Sequence, residues 1–65
     1  MFERDYLIIK TDQMFNIWIQ YVSAVNVRYA LIRAEKISDW QDTLYDDSIL
    51  EGLDIYPNDI QAVRI

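Results

Sequence analysis

Carboxylates dominate the chemistry that this sequence offers, and most of them lie in its second half. Residues 38–59, here called the acidic segment, contain no lysine or arginine and carry seven of the eleven acidic side chains: Asp39, Asp42, Asp46, Asp47, Glu51, Asp54 and Asp59. Clustered carboxylates suit three kinds of chemistry, namely calcium ligation, acid–base catalysis by a carboxylate pair, and electrostatic binding of a basic partner.

Calcium ligation by a regular EF-hand is excluded by the spacing of these acids. The loop requires D-x-[DN]-x-[DN]-G-x5-E, but a loop starting at Asp42 has Leu44 in its third position, and one starting at Asp46 fails at the fifth. We therefore expect no bound metal. An irregular calcium site remains an alternative, built from Asp46, Asp47 and Glu51.

Catalysis is disfavoured by the residue types that the chain lacks. It contains no histidine, no cysteine and one glycine, so it has neither the commonest general base nor a glycine-rich phosphate loop. A glycosidase-type carboxylate pair needs a deep cleft, for which 65 residues offer little material. We predict that the protein is not an enzyme and uses no cofactor.

Binding of a basic partner is the third possibility, and it depends on whether a helix continues past residue 37. In that case Glu35, Asp39, Asp42 and Asp46 follow one another at spacings of four, three and four residues and form a ladder of negative charge. Like charges four residues apart cost about 0.2–0.5 kcal/mol each. Either the helix breaks at Ser38, or the ladder faces a cationic partner.

The candidate partner-binding residues combine this charge with two aromatic side chains that supply contact area. Such a surface repels phosphate, so we expect no direct binding to nucleic acid and none to a membrane. As an alternative to contacting a partner, the side chain of Trp40 packs under a loop of its own chain. The predicted set is Glu35, Asp39, Trp40, Asp42, Tyr45, Asp46, Asp47 and Glu51.

Four elements must position these residues. Residues 5–10 and 15–22 predict two strands joined by a short hairpin loop, although residues 13–26 also segregate as an amphipathic helix. Residues 27–37 predict a helix, capped by Asn26 or Ser23, which ends at Ser38 or runs to about residue 46. A capping-box pattern at residues 38–41 would instead start a second short helix. Residues 60–65 predict a final strand.

This order predicts one α+β domain over residues 1–65, a three-stranded antiparallel ββαβ sheet of order 2-1-3 with one main helix on one face and an acidic helix or loop segment. The opposite face then exposes apolar side chains, for which we weigh two covers. One is a second copy of the chain, giving a homodimer through Trp18, Gln20 and Val22. The other is the chain's own loop, through Ile49, Leu50, Leu53, Ile55 and Tyr56.

The composition indicates whether such a domain associates with another chain and where in the cell it acts. At 52% hydrophobic residues the chain is rich in apolar side chains for its size, which favours association with another chain. No apolar run reaches the roughly 18 residues of a membrane span, and the first residues lack the pattern of a signal peptide. We therefore expect a cytoplasmic protein.

In size, acidity and strand-strand-helix-strand order, the chain resembles small phage-encoded inhibitors such as anti-CRISPR proteins and the inhibitors of uracil-DNA glycosylase. The resemblance spans the whole chain and carries over no individual residue. It implies a non-enzymatic DNA mimic that occupies the basic groove of a nucleic-acid-binding protein. The alternative is a structural or assembly module that acts through its own homodimer.

Overall fold

A computed structural model describes residues 2–42 and 51–65 of the chain. Within them the elements are strand β1 (Arg4–Thr11), strand β2 (Ile17–Ala24), helix α1 (Val27–Ala34), strand β3 (Gln41–Asp42) and strand β4 (Ile60–Arg64). The strands form one antiparallel sheet of order β3-β2-β1-β4. The predicted α+β class is confirmed, and residues 13–26 do not form the alternative helix.

The strand count is where the predicted sheet is wrong. The three predicted strands have the expected neighbours, with β1 between β2 and β4, but the two residues of β3 add a fourth strand beside β2. So short a strand leaves no periodic pattern in the sequence. It forms because residues 41–42 pair with Trp18 and Ile19, which are already held by β1.

Helix α1 packs on one face of the sheet, here called the helix face, and the main core lies between them. Tyr6 and Ile8 of β1 pack there with Ala30 and Ala34, the two fully buried residues of the helix. Alanine has no side chain beyond its β-carbon, so the helix can approach the sheet closely. The predicted cap at Asn26 is confirmed, because its side chain accepts a hydrogen bond of 3.0 Å from the amide of Tyr29.

Helix α1 ends at Ala34, so the charge ladder predicted on its continuation does not form. The final turn tightens through hydrogen bonds that the amide of Glu35 donates to the carbonyl of Ile32 and the amide of Lys36 donates to the carbonyl of Arg33. Residues 37–40 contain serine, aspartate and a β-branched isoleucine, which are weaker helix formers. The second short helix predicted from Ser38 is also wrong, because Asp42 belongs to a strand.

The second face of the sheet is covered by the chain itself. Leu7 and Ile9 point to this face and are only 3% and 1% exposed. The side chain of Gln61 donates a 3.0 Å hydrogen bond to the carbonyl of Asp54, and the hydroxyl of Thr11 donates to the carbonyl of Tyr56. These contacts hold the backbone at Asp54 and Tyr56 beside the second face, where Leu53 and Ile55 are half-buried and the Tyr56 side chain is 60% exposed. Ile49 and Leu50, predicted to share this role, lie outside the described residues.

The hairpin loop between β1 and β2, residues 12–16, is fixed by a single carboxylate. Asp12 accepts hydrogen bonds of 2.9 Å from the amides of Met14 and Asn16, and one of 2.8 Å from the Asn16 side chain. Phe15 has a φ of 61°, the left-handed region that glycine or asparagine adopts most readily. A bulky residue held there costs on the order of 1–3 kcal/mol.

The Asp12 network makes stability depend on pH in a defined direction. The hydrogen bond from the Asn16 side chain, aided by those from backbone amides, lowers the pKa of Asp12 below its ordinary value. A lowered pKa contributes stability that is fully present above the ordinary aspartate pKa of about 3.9, and that is lost as the pH falls through the lowered pKa.

We therefore expect Asp12→Asn to flatten the acid limb of the stability curve, because asparagine cannot titrate. Urea unfolding between pH 2 and pH 6 measures this effect. The control Glu51→Gln removes an exposed carboxylate elsewhere and retains the Asp12 limb. Parallel curves for Asp12→Asn and the wild type would contradict this account of the loop.

Candidate functional site

The candidate site lies on the helix face, at the end of the sheet that α1 leaves open. Four residues stand in one row across the sheet there, each paired with the next: Asp42 of β3, Trp18 of β2, Lys10 of β1 and Ile60 of β4. Directly opposed side chains of this kind stand about 4.5–5.5 Å apart. We call this set the tryptophan row.

Alternation along the strands fixes the face on which the row lies. Side chains two residues apart share a face, so Lys10 points the same way as Tyr6 and Ile8, which pack against the helix. Trp18 is the partner of Lys10, and Val22 packs against the same helix-face core. The row is therefore the continuation of the helix face beyond α1.

Trp40 lies over this row and joins it to the acidic segment. Its half-buried side chain packs against the core of the helix face, whereas the alternative predicted for it was packing under a loop. The Nζ atom of Lys10 lies 5.4 Å from the centroid of its ring, a cation–π distance. The side-chain amide of Gln20 donates a 2.8 Å hydrogen bond to the carbonyl of Asp39, which fixes the chain just before Trp40.

Charge at the site is acidic and uncompensated in the described part of the chain. Asp39 and Asp42 are exposed and flank Trp40. Within residues 2–42 and 51–65, the one ion pair joins Arg33 to Glu3, near the opposite end of β1. Lys10, the cation of the row, lies over an aromatic ring and forms no ion pair with either aspartate. Both carboxylates therefore remain available to an external cation.

The predicted partner-binding residues divide into three groups. Asp42 is a member of the tryptophan row, Trp40 lies over the row, and Asp39 directly precedes Trp40 in the chain. Glu35 is exposed at the end of α1, and Glu51 is exposed in the turn before Gly52, neither of them part of the row. Tyr45, Asp46 and Asp47 lie outside the described residues, as do two of the three ligands of the alternative calcium site.

The predicted dimer residues are on the other face from the one expected. Trp18, Gln20 and Val22 were assigned to the face opposite the helix, but all three lie on the helix face. The alternation along β2 was read correctly, and only its orientation was reversed. A shift of one residue in pairing moves every side chain to the other face, and the sequence of β2 alone does not set that choice.

Two features of the site were missed in the sequence. Lys10 and Ile60 appear there as the last residue of one strand and the first of another, and only the pairing places them beside Trp18. Met14 and Phe15, at the tip of the loop that follows the row, were also missed. Phe15 was predicted as the first residue of the second strand, and only the observed start of β2 at Ile17 places it in the loop.

Small-ligand chemistry finds limited support here. A shallow depression of about 360 Å³ is lined by Lys10, Thr11, Asn58, Asp59 and Ile60. The Thr11 hydroxyl is already occupied, since it donates to backbone carbonyls and accepts from the amide of Asp59 at 3.0 Å. Among the described residues no group of three or more acidic side chains is placed to hold a metal ion.

The described helix is too short and too polar to cross a bilayer. A comparison with protein-family models finds no match, and searches of curated proteins and of solved structures find no significant match either. The fold and the site together define a small α+β domain with an acidic, tryptophan-bearing surface.

Proposed function

We propose that this protein is a non-enzymatic inhibitor or regulator that binds a basic groove of a nucleic-acid-binding protein. The observation that carries the proposal is the position of two exposed, uncompensated aspartates on either side of Trp40, beside Trp18. Two residues that the sequence assigned to different interfaces thus share one surface with the acids. The proposal places the protein in the cytoplasm, where such partners act.

The surface combines the two components of a typical protein interface. Tryptophan residues supply contact area and are enriched among the residues that dominate binding energy. Carboxylates beside them select a positive partner and speed its approach. A groove that binds nucleic acid is lined with lysine and arginine, so it offers the complementary charge. The acids mimic phosphate by charge, without the regular helical spacing expected from the sequence.

We expect binding in a panel of three purified proteins, namely a uracil-DNA glycosylase, a Cas9–guide RNA complex and a bacterial RNA polymerase. Duplex DNA should compete with the protein for at least one of them. Its affinity should fall by roughly tenfold or more between 50 and 300 mM salt, because exposed charges are screened. Biolayer interferometry with immobilised protein measures both effects.

A pair of matched variants locates the charge that matters. Asp39→Asn/Asp42→Asn should lower the affinity by about tenfold. Glu3→Gln/Asp5→Asn removes the same two charges about 17 Å away along β1, from the strand rise of about 3.3 Å per residue, and should change it less than twofold. Equal losses in both variants would show that net charge, and not this surface, drives binding.

Assembly through a homodimer is the competing function, and it would use the same face, because Trp18 and Val22 lie there. An apolar dimer interface is insensitive to salt, whereas a charge-driven complex is not. Analytical ultracentrifugation at both salt concentrations distinguishes the two. A salt-independent dimer that binds no panel member would replace the inhibitor proposal with the assembly module.

A further inference from the structure

The tip of the hairpin loop at residues 12–16 exposes two large apolar side chains. Met14 is 78% exposed and Phe15 is 54% exposed, in a loop whose other members are polar. Neither side chain contributes to the core described for the helix face. Their exposure therefore adds little to the stability of the free protein.

The backbone conformation at this tip is unfavourable for the residue that adopts it, Phe15. Phe15 adopts a φ of 61°, where an aromatic side chain crowds the backbone and glycine does not. A strained residue that buries no core surface is a feature that function, more than folding, explains. Asn16, the next residue, is of a type that tolerates this conformation better.

The loop is nevertheless tied together, and to the turn before β4, by several hydrogen bonds. Besides the three hydrogen bonds to the Asp12 carboxylate, the amide of Phe15 bonds to the Asp12 carbonyl at 3.2 Å, and so does the amide of Asn58 at the same distance. The second of these ties the loop to the turn before β4. A rigid loop presents its side chains at a lower entropic cost on binding than a flexible one.

We infer that Met14 and Phe15 form an apolar anchor that enters an apolar pocket beside the basic groove of the partner. The inference rests on the proposed function. The loop joins β1 to β2 one residue pair beyond Lys10 and Trp18, so the anchor lies at the same end of the sheet as the tryptophan row. Asp12, at its base, carries negative charge, so the pocket should be apolar inside and basic at its rim. Methionine and aromatic residues are enriched in such interface cores.

The substitution Phe15→Gly separates binding from stability, because it removes the side chain and relieves the strain together. We expect its melting temperature to equal or exceed that of the wild type, while its affinity for the panel protein bound by the wild type falls at least tenfold. Phe2→Gly is the matched control, since Phe2 is 91% exposed and precedes β1 at the opposite end of the sheet. It should bind as the wild type does.

The outcomes separate this inference from the proposal on which it rests. If Asp39→Asn/Asp42→Asn weakens binding and Phe15→Gly does not, the anchor is wrong and the acidic surface stands. If Phe15→Gly melts well below the wild type, the side chain has a structural role and the anchor is again wrong. If the wild type binds no panel member, both ideas are overturned together.

Discussion

Replacing Ile8 with alanine is expected to remove a large part of the protein's free energy of unfolding. Ile8 is completely buried in the central strand, between β2 and β4 and beneath α1. Truncating a buried isoleucine to alanine typically costs about 2–5 kcal/mol. A chain of this length has a total stability of roughly 3–10 kcal/mol, at about 0.05–0.15 kcal/mol per residue. The substitution therefore removes much of the free energy of unfolding that keeps the chain folded.

Urea unfolding followed by tryptophan fluorescence and circular dichroism measures the effect. The matched control is Ile32→Ala, which makes the same chemical change in α1 at a position that is 47% exposed. Alanine is also the better helix former, so this control should be near neutral or slightly stabilising. Equal unfolding midpoints for the two variants would show that the core is not where the fold places it.

The second large effect is expected at Thr11, the one polar residue among those described as buried. Its hydroxyl lies between β1 and the turn before β4, where it donates to the carbonyl of Tyr56 and accepts a 3.0 Å hydrogen bond from the amide of Asp59. Thr11→Val keeps the shape but leaves both backbone groups without this partner, which typically costs about 1–3 kcal/mol.

Thr11→Ser provides the contrast, because it keeps the hydroxyl and loses only a methyl group, worth about 0.8 kcal/mol. Amide hydrogen exchange gives a local readout. The amide of Asp59 should exchange faster in Thr11→Val and stay protected in Thr11→Ser. Unchanged protection in the valine variant would show that the hydroxyl does not hold this turn.

Local pattern predicted each of the longer elements, although over residues 13–26 it left a helix open as an alternative to the strand. The β-branched, apolar residues of β1 indicate a strand buried on both faces, and both faces of it are buried at Leu7, Ile8 and Ile9. The apolar residues of the helix recur at three- and four-residue spacing and indicate the side that packs, where Ala30 and Ala34 are buried and only the first of the series, Val27, is 47% exposed. These features depend on neighbours in sequence, which is why the sequence carries them.

The end of the helix illustrates where local pattern fails. The apolar stripe continues in the sequence beyond Ile37, and like charges at Glu35 and Asp39 argue only weakly against helix. The weak helix formers at residues 37–40 are joined by contacts distant in sequence, namely the Gln20 side chain that binds the Asp39 carbonyl and the strand that pairs with Asp42. The spacing of the acidic residues alone does not reveal these contacts.

The candidate site was partly visible in the same way. The sequence alone identified the acidic segment and the alternation along β2, because charge and periodicity are properties of the chain. It did not determine which face of β2 meets the helix, nor that Trp18, Lys10 and Asp42 stand in one row. Those facts follow from strand register, and register is fixed only when β1 pairs with two strands at once and the helix packs on one side of them.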